Sequence, residues 1–257
     1  MNATHAKALL YEELSLNAHP ALQTQLYDGW ALRFANGYTK RANSIHPLYP
    51  SALDLHEKIE HCERQYGGHG LPAIYKLTDG TDPRIGKALD EHGYAIVEPT
   101  FVMEASLRDK DFPMHDCVVA DHADDEWLSA YYALNNTTDG VKMATARQIL
   151  ENVKSTLLCG RSANGGGTVA CGTAVIERGY MALQNVIVDE AQRGKGYGRA
   201  ICESLLAKAK QFGAHTAYLQ VTQANHVAVG LYRKLGYEPA YTYWYREQAR
   251  TGTEERT

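Results

Sequence analysis

No apolar run in this 257-residue sequence approaches the roughly 20 residues that a membrane helix requires, and Met1 through Pro20 contains no long apolar stretch. A soluble, cytoplasmic protein is therefore expected, with no membrane contact. Cysteine is sparse and scattered. Cys62, Cys117, Cys159, Cys171 and Cys202 are odd in number and include no C-x-x-C pair, which argues against a disulfide framework and a thiolate zinc site and predicts reduced, mostly buried thiols. The eleven histidines contain no H-E-x-x-H spacing, and His56 and His61, five apart on an expected helix, would not share a face, so no metal is expected. Basic excess is also missing. A net charge of -4 and a pI near 6.3 argue against a nucleic-acid surface, although a local basic patch can still meet an anionic ligand. A chain of this length can bury one large core or two modest ones without metal or disulfide support.

The most regular stretch runs from Ser155 to Arg246. Short apolar runs at Ser155–Cys159, Thr168–Ile176 and Tyr180–Val188, separated by Asn164-Gly165-Gly166-Gly167 and Arg178-Gly179, read as an antiparallel meander with hairpin turns. Ile201, Leu205, Ala209 and Phe212 then recur at helical spacing, with Gly213 placed to end the helix. Ala217, Leu219 and Val221 alternate as in a strand, Ala228, Leu231 and Leu235 repeat helically up to Gly236, and Tyr241 to Arg246 forms a last strand. This order specifies an α/β (α+β) fold, a mixed, mostly antiparallel sheet flanked by helices.

Between Val188 and Ala200 the chain leaves a strand, turns on Gly194, Gly196 and Gly198, and enters a helix. Residues without side chains let the backbone approach a ligand, and the helix start adds unpaired N–H donors and partial positive charge, so the turn is suited to an anion. Arg193, Lys195 and Arg199 add formal charge. Each charge-assisted hydrogen bond to phosphate is worth about 1.5–3 kcal/mol, so several outweigh the helix-dipole contribution of about 0.3–2 kcal/mol and favour a diphosphate. The G-x-G-x-G spacing fits neither a P-loop, G-x-x-x-x-G-K-[ST], nor the G-x-G-x-x-G of a dinucleotide fold.

The segment Gln192-Arg193-Gly194-Lys195-Gly196-Tyr197-Gly198 resembles the Q/R-x-x-G-x-G/A pyrophosphate loop of the Gcn5-related N-acetyltransferase (GNAT) superfamily. A strand and a helix further on, Asn225 to Tyr237 is similar to that family's N-x-x-A-x-x-x-Y-x-x-x-G-[FY] segment. The resemblance covers roughly Asp116 to Arg246. It implies acetyl-CoA as acyl donor and transfer of the acetyl group to an amine acceptor. A small-molecule acceptor is expected before a protein, and no motif chooses among a small amine, an amino acid, an antibiotic and a protein amine. Carried over by position, it implies that the strand Val186-Ile187-Val188 pairs with the pantetheine arm. Arg193, Gly194, Lys195, Gly196, Tyr197, Gly198 and Arg199 would then wrap the diphosphate, Asn225 would bond the cofactor arm, and Tyr232 would face the thioester sulfur as general acid.

An amine with a pKa near 10.4 is almost wholly protonated at neutral pH, so a base or a desolvating pocket is needed. The strand before the loop offers Gln184 and Asn185, neither of which can take a proton, and the base is unassigned. Tyr232 could instead pack in the helix core beside Leu231. The aromatic run Tyr241 to Tyr245 reads first as a strand with one packed side and alternatively as an acceptor-pocket wall. Likewise, Trp30 to Ser44 reads first as strand, turn, strand with Lys40 and Arg41 solvated, and alternatively as a border of the acceptor site. A non-catalytic CoA-binding or sensor module is the alternative function.

A fainter copy of the pattern lies upstream. Arg64-Gln65-Tyr66-Gly67-Gly68-His69 aligns with Lys210-Gln211-Phe212-Gly213-Ala214-His215, Leu77-Thr78 with Val221-Thr222, and Gly93-Tyr94 with Gly236-Tyr237. In that alignment Pro47, Leu48 and Pro50 fall opposite Arg193, Gly194 and Gly196, and Leu89 falls opposite Tyr232. Proline has no N–H to offer a phosphate. Two related halves are expected: residues 1–110 as a degenerate acetyltransferase-like domain and 111–257 as the catalytic, acetyl-CoA-binding domain, joined by the charged linker Arg108 to His115.

Overall fold

The computed structural model describes residues 3–248. Their elements run α1 (Ala3–Ala18), β1 (Gln23–Tyr27), β2 (Trp30–Phe34), β3 (Ile45–Pro47), α2 (Leu55–Gly68), β4 (Tyr75–Thr78), α3 (Pro83–Glu91) and β5 (Tyr94–Ser106). They continue through β6 (Val118–Ala120), α4 (Asp125–Leu134), α5 (Gly140–Glu151), β7 (Thr156–Asn164), β8 (Gly167–Glu177) and β9 (Tyr180–Val188) to α6 (Tyr197–Gln211), β10 (Thr216–Thr222), α7 (His226–Lys234) and β11 (Glu238–Gln248). The meander, both later helices and the closing strand stand where their periodicities predict. Among the described residues no helix is long and apolar enough to cross a membrane. All five cysteines are free, four of them buried and Cys117 partly so.

Every strand joins one sheet, in the order β1-β2-β3-β4-β11-β5-β10-β9-β8-β7-β6. The last strand of the described residues, β11, enters between β4 and β5 and is antiparallel to both. In turn β5 sits between β11 and β10, again antiparallel. Outward from this central pair the two wings match, with the parallel pairs β3–β4 and β9–β10 in corresponding places. Each half therefore completes the other's sheet, which leaves no exposed strand edge at the centre.

Helices α2 and α3 pack on the first wing, where their Ile59, Tyr66 and Leu89 share a core with Trp30 and Tyr75 of the sheet, and α6 packs on the second, where its Ile201 and Leu205 share a core with Met181 and Leu219. Helix α1 covers the middle, burying Tyr11 and Leu14 against Val102, Val175 and Tyr241 from strands of both wings. The segment between β5 and β6 is tied to α6, with Lys210 Nζ 3.1 Å from Asp111 and His115 Nε2 2.6 Å from Glu203.

The alignment of the two halves needs one correction. Gly67 does not correspond to Gly213, because α2 continues through Gly67 and Gly68, and Gly70 takes the left-handed φ of +67° that Gly213 takes at +86° after α6. At the other end Asp54 caps α2 as Gly196 caps α6, so Asp54, not Pro50, stands opposite Gly196. The similar short strings concealed a three-residue difference in where the helices stop. Downstream the alignment holds: β4 and β10 end at Thr78 and Thr222, and Gly93 and Gly236 both follow helices at positive φ.

Candidate functional site

Strands β9 and β10 pair only from Tyr180↔Thr216 to Leu183↔Leu219 and then separate. The cause lies on the other side of β9. Thr173 faces Gln184 and Cys171 faces Ile187, so Asn185 and Val186 together oppose Gly172, a β-bulge with Asn185 at φ +55°. Asn185 Nδ2 donates to Thr173 Oγ1 at 3.1 Å, which fixes the bulge. A Cβ on Gly172 would come within 2.8 Å of Ile201 Cγ2, so the missing side chain is what lets α6 sit under the kink. From Gln184 onward β9 has no β10 partner, and Gln184, Asn185 and Val186 line a cleft between the two strands.

Beyond β9 the chain reaches α6 through the short turn Glu190–Gln192. Helices α2, α3, α4, α5 and α7 are each capped by an Asp or Asn side chain that accepts a first-turn N–H. Helix α6 begins instead at Gly196, φ +91°, with no side-chain cap. Its first-turn donors therefore remain for an external acceptor. Arg193, Gly194, Lys195 and Gly196 are exposed around this end, Tyr197 is half-buried, and Gly198 lies close under Val188. The cations make only local contacts, Arg193 with Glu190 at 3.2 Å, Lys195 with Gln192 at 2.9 Å and Arg199 with Glu203 at 2.8 Å. Arg199 is thus turned along the helix rather than toward the loop. The Arg193–Glu190 pair is exposed, and a pair of this kind is worth little and can be exchanged for a ligand, whereas Glu203 is buried beneath Arg199.

The matching corner of the first half is filled by the protein's own carboxylates. Asp54 caps α2, and Asp28 accepts from the amides of Ala52 and Leu53 at 2.9–3.1 Å, bonds that draw its carboxyl below the usual range. The start of α2 thus holds an internal carboxylate where the start of α6 holds none.

Asn225 lies at the mouth of the cleft, where its Oδ1 caps α7 by accepting from Ala228 N at 3.1 Å. Tyr232 lies two turns further along α7 and lines the cleft while packing edge-on to Tyr237, ring centroids 6.0 Å apart. Both readings of Tyr232 are thus present in its position. Burial, and secondarily Cys202, pushes its hydroxyl well above the ordinary value, so it keeps its proton at neutral pH.

The cleft widens into a cavity of about 440 Å³ that extends between the wings. The reading of Lys40 and Arg41 as solvated turn residues is corrected here. Residues Lys40–Ala42 form a 3₁₀ turn that folds both side chains over the cavity, Lys40 toward Glu98 and Glu247 at 2.5 Å and Arg41 toward Gln184. Tyr243 and Tyr245 are buried, and both also line the cavity. Sequence reasoning missed Glu98, which sits at φ +52° where β5 bulges against β11; the following Pro99, awkward inside a strand, was the available signal. It also missed the buried floor, where Lys76 donates to both Glu12 oxygens at 2.7–2.8 Å, Tyr241 donates to Glu12 at 2.8 Å, and His46 stands 3.5 Å from it. Burial alone would raise Glu12, but Lys76 and His46 outweigh it and keep the carboxylate charged. Among the described residues no group of His, Cys, Asp and Glu is arranged to hold a metal ion.

Residues 9–246 match the family described as "Probable histone acetyltransferase Rv0428c C-terminal". YobR of Bacillus subtilis (strain 168), described as an uncharacterized N-acetyltransferase, is 27% identical over 242 residues, which cover 91% of this chain and 96% of YobR. A GCN5-related N-acetyltransferase from Kribbella flavida superposes with a TM-score of 0.68 at 17% identity, covering 98% of this chain and 97% of its own. A tandem GNAT protein from the clavulanic acid biosynthesis pathway superposes with a TM-score of 0.65 at 12% identity, covering 94% and 88%. At such identities the structural likenesses speak to the fold.

Proposed function

The chain belongs to the Rv0428c C-terminal acetyltransferase family of the GNAT superfamily, and from that membership we propose that it transfers the acetyl group of acetyl-CoA to a small-molecule amine. The observation that carries the reading is the parting of β9 from β10 beyond Leu183 and Leu219, followed in the chain by an α6 start that has no side-chain cap. A pantetheine arm has amides to pair with Val186, Ile187 and Val188, and a diphosphate suits the donors and cations from Arg193 to Arg199. Asn225, with its amide nitrogen left over from capping, is assigned to the cofactor arm.

In the proposed reaction the neutral amine attacks the thioester carbonyl, the C–S bond breaks, and the thiolate departs beside Tyr232. A phenol held above its normal pKa does not readily surrender a proton to a thiolate whose acid has a pKa near 8.5, so Tyr232 helps mainly by hydrogen bonding to the developing charge. Glu98, the one acid on the cavity wall, is assigned to the proton leaving the amine. Residues 1–110 are read as a degenerate copy that walls the acceptor site and 111–257 as the acetyl-CoA domain, with β5 and β11 exchanged between them.

Acetyl-CoA at a hundredfold excess over its dissociation constant should stabilise the protein by about 2.7 kcal/mol, and NAD and ATP by much less. Equal stabilisation by ATP would remove the case for a CoA site. Binding without thiol release from any amine would leave a CoA-binding module.

A further inference from the structure

The acceptor end of the cavity is electrostatically lopsided. Arg33, Lys40, Arg41 and Lys76 line it, against Glu98 as the single acid. Two further carboxylates stand behind the wall, Glu12 on Lys76 and Glu247 on Lys40. Four cations against three acids leave one positive charge over.

The uncompensated cation can be located. Arg33 is buried, and its guanidinium is taken up by the backbone carbonyls of Leu16, His19 and Arg41. Lys76 is held by both oxygens of Glu12, and Lys40 lies between Glu98 and Glu247. Arg41 has one hydrogen bond, to the neutral amide oxygen of Gln184 at 3.5 Å, the outer limit for such a bond. Among the described residues it has no carboxylate partner within ion-pair distance. Its backbone carbonyl is pinned by Arg33, so the residue is anchored while its guanidinium stays under-used. The positive field is felt by its neighbours: burial, reinforced by Arg41 and Arg33, pushes His19 well below the ordinary imidazole value.

Gln184 is the last residue before the bulge at Asn185, so Arg41 stands beside the point where the cleft opens into the cavity. An acceptor anchored at Arg41 has its other end within reach of that opening. We infer that the acceptor is a small amine that also carries a carboxylate, an amino-acid-like molecule, and that Arg41 is the residue that selects it. A planar guanidinium binds a carboxylate through two parallel N–H donors, orienting the ligand as well as neutralising it. This rests on the acetyltransferase reading and adds the substrate class.

The test measures thiol release from acetyl-CoA by the full chain with matched acceptors: phenylalanine against phenethylamine, lysine against cadaverine, and each amino acid against its carboxamide. The carboxylate member of each pair should have the higher kcat/KM, by roughly 10- to 100-fold, as expected for one charged hydrogen-bonding pair. Arg41→Gln should collapse that ratio toward unity mainly through KM, and Arg41→Lys, which keeps the charge without the fork, should give an intermediate ratio. Equal or better turnover of the decarboxylated amines, an unchanged ratio in Arg41→Gln, or no turnover of any carboxylate-bearing amine by protein that binds acetyl-CoA overturns the inference. Failure of acetyl-CoA itself to bind is a different result, and overturns the reading beneath it.

Discussion

Replacing Gly196 by valine separates binding from folding. Gly196 caps α6 at φ +91°, and a Cβ there would meet nothing within 4 Å, so the variant introduces backbone strain without a core clash. Holding a β-branched residue in a left-handed conformation costs about 1–2 kcal/mol, and at about 2–4 °C per kcal/mol for a chain of this size the melting temperature should fall by about 2–8 °C. The cost to binding is larger. The new side chain crowds the mouth of a helix whose donors have no internal cap; losing two charge-assisted hydrogen bonds at about 1.5–3 kcal/mol each weakens acetyl-CoA binding by about 10² to 10⁴-fold. Calorimetric titration with acetyl-CoA and thermal unfolding without ligand give the two numbers. Gly172→Val is the opposite control, because its Cβ would lie 2.8 Å from Ile201 Cγ2 in the core and must damage the fold first. A Gly196→Val protein that binds acetyl-CoA within about threefold of wild type, or melts as early as Gly172→Val, refutes the assignment of the α6 terminus to the diphosphate.

Tyr232→Phe keeps the ring in its packing and removes only the hydroxyl, so single-turnover acetyl transfer should slow by about 10²-fold, the low end for losing one hydrogen bond to a developing charge, with acetyl-CoA affinity little changed. An unaltered single-turnover rate leaves Tyr232 as a packing residue. Stability should also depend on pH through His46, which burial holds at about 4 despite the neighbouring Glu12 carboxylate, below the free value of about 6.5. The folded state disfavours the protonated ring, so this contribution is complete above about pH 6.5 and falls away toward about pH 4, a loss of about 2 kcal/mol by about pH 5. Denaturant unfolding of wild type and His46→Gln at the two ends of that window should show a smaller loss in the variant, and equal losses would show that His46 is not the group responsible.

What the sequence by itself determined was local. Apolar spacing located the meander, α6, β10, α7 and β11 because each is a periodic signal within some ten residues. The glycine turn was legible for the same reason: Gly194, Gly196, Gly198 and the surrounding cations are contiguous, and their chemistry does not depend on distant partners. The repeat was visible too, but its register was not, since Gly67 and Gly70 both lie near the end of α2 and only the backbone decides which one turns left-handed. Tertiary structure alone decided the rest. The exchange of β5 and β11 and the bulge at Asn185 are sheet pairings between segments distant in sequence, and neither leaves a periodic trace. Arg41 and Gln184 are 143 residues apart, and a lysine and an arginine on a polar turn look like solvated charges until the second wing of the sheet closes over them. The glycine turn could be read because one continuous stretch of chain builds it, and the cavity wall could not because both halves must fold together before it exists.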